Sequence, residues 1–255
     1  MAYIEAKRKI EKGEIAPVYT LVGTEPFMEK DLIQAIVHQV LNEHEREYNF
    51  SAFDMRDTPV HHAIEEALTL PFFGERKVVV IKDAYFLTGQ KAETDIEHDI
   101  DRLMEYINHP VIETIFIITV PYEKLDERKK ICKLLLKQSE FVELKEFKEE
   151  DLFDWLDEQC GAFGVKLTKE AKMKLIQLVG NNLALLVNEL EKLALFVGEG
   201  GVIEAENVER LVAKSTEQNV FDLIDFLLNK RIGDALELFD ELLTRKEEPI
   251  VLLAL

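Results

Sequence analysis

Apolar positions fall into two alternating rhythms over the first half of the chain and one rhythm over the second. Short unbroken runs stand out first. "PVYTLV" (17–22), "KVVVIKDA" (77–84) and "TIFIITV" (114–120) are β-branched and strand-length, "FVEL" (141–144) is shorter, and "YNFSAF" (48–53) alternates. Between them the period becomes that of a helix. From Pro26 onward Leu32, Ile33, Ile36, Val37, Val40 and Leu41 share a face, and Val60, Ala63, Ile64, Ala67 and Leu68 stripe "DTPVHHAIEEAL" (57–68). Asp57 or Thr58 is expected to cap that second helix, with Pro59 at its first position. Helices are also expected near 92–108 and 126–138. The order β-α-β-α-β-α-β, with nearly continuous apolar strands, predicts a parallel sheet covered by helices on both faces. Residues 1–145 therefore read as one α/β domain.

Past "KEFKEED" the pattern is helical throughout, so the fold class is α/β then all-α. Helices are expected near 149–162, 168–179, 182–197 and 205–214, punctuated by Gly164, Gly180 and "GEGG" (198–201). Residues 146–214 read as a small helical domain. After the polar "STEQN" (215–219), helices near 220–229 and 232–244 open a third domain, and Pro249 starts a further apolar stretch. That stretch reaches "PIVLLAL" without a cap, which reads as a third domain, 215–255, cut short.

Composition narrows the class. The 255 residues are 47% hydrophobic, enough for the cores of two or three domains. A net charge of −19 argues against a general nucleic-acid grip, which needs Lys and Arg gathered on one face. Cys132 and Cys160 form no CxxC, which fits a reducing, cytoplasmic setting and offers no zinc site. The opening "MAYIEAKRKIEKGEI" lacks the apolar segment of a signal peptide. The longest apolar runs fall short of the roughly 20 residues that span a membrane.

A first strand, then Gly23, then a helix is where nucleotide-binding α/β proteins put their phosphate loop. The loop here is "GTEPFMEK" (23–30). Against G-x-x-x-x-G-K-[ST], Met28 replaces the second Gly, Glu29 the Lys, and Lys30 the Ser or Thr. Met28 adds a side chain where backbone must approach phosphate. Glu29 carries the wrong charge, and Lys30 cannot ligate magnesium. The strand "VVVIKDA" offers only Asp83, expected as a strand-end residue facing solvent. The layout of a P-loop ATPase is present without its chemistry. The six histidines show no metal-binding spacing, and His61 with Glu65 reads as a solvated pair. Trp155 falls at helical spacing with Leu152 and Leu156 and reads as core. No catalytic constellation is found, and no cofactor is expected.

"LTLPFFGERKVVVI" (68–81) puts two phenylalanines in a turn between helix and strand. Pro71 disfavours helix at Leu70, and Gly74 permits a sharp turn. Successive side chains of an extended segment point to opposite sides. One phenylalanine is therefore expected on the core and the other outside. The alternative is that both plug the end of the sheet.

With its Phe pair before a Val/Ile strand, this stretch resembles the clamp-contacting tip of the delta subunit of the bacterial DNA polymerase III clamp loader. Three further segments are similar, in order: "YTLVGTEPFMEK", "GNNLALLVNELEKLALF" (180–196) and "NVFDLIDFLLNKRIGDALELFDELLTRKEEPIVLLAL". The resemblance implies an AAA+-like first domain, a lid-type helical domain and the start of a helical collar domain. It implies a subunit that does not hydrolyse ATP, since Leu183 stands where ATP-using relatives carry Arg in a Gly-x-x-Arg pattern. It implies that Leu70, Pro71, Phe72 and Phe73 bind the beta sliding clamp and help open its ring. The implied partners are tau/gamma and delta prime in a heteropentamer, with primed DNA held only by the assembled loader. A chain shortened in its collar domain is expected to bind the clamp but assemble poorly. The other readings are an active ATPase with an atypical loop and a generic helical adaptor.

Overall fold

A computed structural model describes residues 2–90 and 95–244. Contacts divide the chain into two compact units, Met1–Glu146 and Phe147–Leu255.

The first unit contains α1 (Tyr3–Glu11), β1 (Val18–Gly23), α2 (Pro26–Val40), α3 (Glu43–Asn49), β2 (Phe50–Asp54) and α4 (Val60–Leu68), then β3 (Lys77–Lys82), α5 (Ile100–Asn108), β4 (Thr114–Val120), α6 (Lys130–Gln138) and β5 (Glu140–Leu144). The five strands form one sheet in the order β2-β3-β4-β1-β5, every pair parallel. β4 is buried along its whole length and β3 along all but its last residue, as strands covered on both faces must be. Val79, Ile81, Phe116 and Ile118 join residues of α4, α5 and α6 in one core cluster. Their alternate neighbours Val78, Val80, Ile115 and Ile117 face the other way. On that side α2 contacts β3, α1 contacts β5, and the two helices pack on each other.

The second unit contains α7 (Glu149–Ala162), β6 (Lys166–Leu167), α8 (Lys169–Val179), α9 (Leu183–Val197), β7 (Val202–Ile203), α10 (Ala205–Leu211), α11 (Thr216–Leu228) and α12 (Ile232–Thr244). β6 and β7 form a short parallel pair that the periodicity does not announce, because two residues carry no period. Trp155 is fully buried, as its spacing predicted. Among the described residues no helix is long and apolar enough to cross a membrane.

Several expectations are corrected. The strand read at 48–53 begins only at Phe50, and Tyr48 and Asn49 end α3, a helix not expected at all. Pro59 is the residue before α4 rather than its first, and neither Asp57 nor Thr58 caps it. Leu68 does not complete the buried stripe. It ends α4 and is exposed. α5 and α6 start later than expected, at Ile100 and Lys130. Residues 92–94 and the apolar stretch after Pro249 lie outside the described residues.

The candidate tip and the loop at the other end of the sheet

The Leu-Pro-Phe-Phe-Gly segment follows α4 and leads into β3, so it sits at the N-terminal edge of the parallel sheet. Both phenylalanines point outward. Phe72 is 70% exposed and Phe73 57%, with Leu70 at 79%. Neither the one-in, one-out expectation nor the plugged sheet end is what forms. The segment is not a strand, so its side chains do not alternate.

Its backbone is held from beneath by Asn49, which is 2% exposed. The Asn49 Oδ1 accepts from the Phe72 N–H at 2.8 Å, and its Nδ2 donates to the Phe73 carbonyl. Above that anchor the rings pack on one another. Phe72 and Phe73 meet edge to face at 4.7 Å, and Tyr48 lies 5.7 Å from Phe72 and 5.9 Å from Phe73. The root of the turn is fixed by Lys77, whose buried Nζ donates to Glu66 Oε1 at 2.5 Å and to Thr69 Oγ1 at 2.6 Å.

Gly74 closes the turn with φ +74°, and a Cβ there would fall 2.2 Å from Glu45 Oε1. Glu45 is not free to leave, because its Oε2 accepts from the Asn42 N–H in the capping box that starts α3. Gly74→Ala is therefore expected to lower stability by about 1–2 kcal/mol. The midpoint of urea unfolding measures this, and an unchanged midpoint would contradict it.

The Gly23 loop lies at the C-terminal end of β1, the opposite edge of the sheet. Gly23 keeps its identity for a packing reason. It pairs with Leu144 of β5, and a Cβ on it would sit 1.9 Å from the Leu144 carbonyl oxygen. Met28 is fully buried on α2, so it belongs to the core. Glu29 and Lys30 line a cleft of about 510 Å³ beside Ile33, Val37, Arg46 and Phe50, toward α3 and β2.

Burial pushes the Glu29 carboxyl above its ordinary 4.5, outweighing the pull of Lys82. A raised folded value means that Glu29 favours folding most when protonated, below pH 4.5, and that this contribution is lost as the pH rises. Glu29→Gln, neutral throughout, is expected to raise the melting midpoint at pH 7 and to leave it unchanged near pH 4. A lower midpoint at pH 7 would contradict the sign.

Asp83 does not face solvent freely as expected. It takes a left-handed φ of 52° and is paired with Arg56. It also accepts from the Tyr122 hydroxyl at 2.7 Å, while Arg56 donates to that same oxygen at 2.9 Å. Its carboxylate is thus occupied within the strand-end cluster. Glu65 pairs with Arg102 rather than His61, whose ring lies against His62. In the second unit Leu183 is buried at the first position of α9. Among the described residues no three His, Cys, Asp or Glu side chains gather to hold a metal ion.

The support from α3 is what sequence reasoning missed. The signal was the Asn42-x-x-Glu45 capping pattern, which marks a helix start without any apolar stripe.

A family model for the DNA polymerase III delta subunit matches residues 19–145, a model described as a middle domain matches 148–210, and one for the C-terminal domain of the DNA polymerase III delta subunit matches 217–255. The chain is 38% identical over 248 residues to DNA polymerase III subunit delta of Bacillus subtilis, covering 97% of this chain and 72% of that one. A probable DNA polymerase III subunit delta of Aquifex aeolicus is 33% identical over 88 residues, 34% of this chain and 25% of its own. The solved Bacillus subtilis DNA clamp loader delta protein superposes with a TM-score of 0.83 at 36% identity, covering 99% of this chain and 74% of that one. With its parallel-sheet domain followed by helices, the chain belongs to the delta subunit family of DNA polymerase III, a clamp-loader component of DNA replication.

Proposed function

We propose that this chain is a non-catalytic clamp-loader subunit that grips the beta sliding clamp through Leu70, Pro71, Phe72 and Phe73 and helps hold its ring open. The observation that carries this is the exposed aromatic tip on a stiff α/β unit. Large apolar groups on a convex, braced turn are costly to leave in water and suited to a partner's pocket. A packed sheet transmits force, which a lever on a closed ring requires.

Catalysis is assigned to other subunits. Met28 fills core, Glu29 carries the wrong charge for phosphate, and Leu183 offers no cation. The proposed neighbours are the tau/gamma and delta prime subunits of a heteropentamer in the cytoplasm, with primed DNA engaged only by the assembly. Residues 1–145 would contact the ring, 146–214 would form the lid-type domain, and 215–255 would begin the collar.

The test is ring release. Clamp rings preloaded on nicked circular DNA should come off when this chain is added without nucleotide. Rings that stay on the DNA would remove the lever role. Magnesium-dependent ATP binding at micromolar affinity would remove the non-catalytic assignment.

A further inference from the structure

On the reading of the tip as the clamp-binding element, we propose that α3 is its second half: Tyr48 is a third contact ring, and Asn49 is the positioning residue that keeps Phe72 and Phe73 outside. Two adjacent phenylalanines in a short turn gain by folding onto any apolar surface within reach. Something must hold them out, and the hydrogen bonds show what does. Both bonds from Asn49 go to main-chain atoms, the Phe72 N–H and the Phe73 carbonyl. They fix the backbone of the pair and leave both rings pointing away. The amide is engaged at both ends, as a side chain buried to 2% requires.

α3 itself supports this assignment. It is seven residues long, and its one buried residue is Asn49. An amphipathic helix buries an apolar stripe, but this one buries an amide that bonds the tip. Its start is locked by the Asn42–Glu45 capping box, and the same Glu45 stands against Gly74 at the end of the turn. Helix and turn therefore close on each other at Asn49 and at Glu45.

Tyr48 stands beside Asn49 and is 53% exposed. Its ring lies 30° from parallel with Phe72 and 80° from Phe73, at the separations aromatic pairs prefer. The contact surface is thus three mutually packed rings, with the exposed Leu70 two residues before Phe72 in the chain. The occupant is the clamp that the two phenylalanines engage, because Tyr48 is continuous with them and cannot be approached separately. Rings ordered in the free chain lose less freedom on binding. The chemistry required of the clamp is an apolar pocket wide enough for packed aromatics, with a polar rim for the Tyr48 hydroxyl.

The test measures affinity of the full chain for purified sliding clamp, together with hydrogen exchange at the Phe72 amide. Asn49→Ala is expected to weaken binding about tenfold and to speed exchange at Phe72. Asn49→Asp keeps the acceptor for Phe72 and loses the donor to Phe73, so it should fall between. Tyr48→Ala should weaken binding about fivefold, and Tyr48→Phe should stay within about twofold.

The deciding comparison repeats Asn49→Ala in a Phe72→Ala/Phe73→Ala background. A residue that acts through the rings has no further effect once they are gone. Equal losses in both backgrounds would mean a general structural role and would overturn the positioning assignment, as would unchanged affinity with fast Phe72 exchange. Undiminished binding by Tyr48→Ala removes the third ring. If the double Phe variant itself binds as the parent does, the clamp-binding reading fails first and takes this one with it. Should Asn49→Ala not fold, Asn49→Asp and the surface change Tyr48→Ala decide the outcome.

Discussion

Replacing Phe72 and Phe73 together by alanine is expected to weaken binding to the sliding clamp by about two to three orders of magnitude. Burying one phenylalanine is worth about 1.5–3 kcal/mol, and two give roughly 3–6. Because the rings are 70% and 57% exposed in the free chain, most of that area is still available to a partner. A micromolar complex needs about −8 kcal/mol after the costs of association, so in the proposed clamp contact the pair would dominate without completing it. Leu70, at 79% exposure, is a natural contributor to the remainder. The same exposure means that the fold does not depend on the rings, and stability should change by less than about 1 kcal/mol. Surface plasmon resonance on immobilised clamp, paired with thermal unfolding, separates the two quantities. Parental affinity in the double variant would take the tip out of ring binding.

Changing residues 28–30 to the phosphate-loop pattern should damage the protein without giving it a nucleotide. In the triple change Met28→Gly, Glu29→Lys, Lys30→Thr, the first substitution removes a fully buried side chain from α2. Emptying such a site costs about 2–5 kcal/mol, and glycine inside a helix adds about 1. That sum is comparable to the whole stability of many domains, so a strongly lowered unfolding midpoint is expected. Glu29→Lys also places a cation in the cleft shared with Lys30, Lys82 and Arg46. A triple variant as stable as the parent, or one that binds ATP, would show that the loop is still a nucleotide site in waiting. The structure gives packing reasons for two residues of this segment instead: Met28 fills core, and Gly23 makes room for the Leu144 carbonyl.

The sheet was legible because parallel strands buried on both faces write themselves as continuous apolar runs. β3 and β4 fall where "KVVVIKDA" and "TIFIITV" stand. The site was half legible. A Phe-Phe pair between Pro71 and Gly74 announces itself, but its support does not. α3 reads "EHEREYN", with no stripe to detect, and its closing Tyr48 and Asn49 look like the start of the strand that follows. Capping, not periodicity, makes that helix. The orientation of the rings was equally hidden, because it depends on two hydrogen bonds from a residue more than 20 positions away. Asp83 failed for a similar reason: its partners Arg56 and Tyr122 are distant in sequence and meet it only at the strand ends.

All five strands run in one direction, so the sheet has a front edge and a back edge with different occupants. The aromatic turn enters β3 at one edge, and the Gly23 loop leaves β1 at the other, about 20 Å away for strands of this length. Ligands at the two edges do not collide. A peptide that saturates the tip should leave whatever touches the loop undisturbed, giving a ternary complex rather than competition. On the proposed reading, an inhibitor aimed at the three rings would block clamp binding at the tip and leave the loop end of the sheet open to a separate ligand.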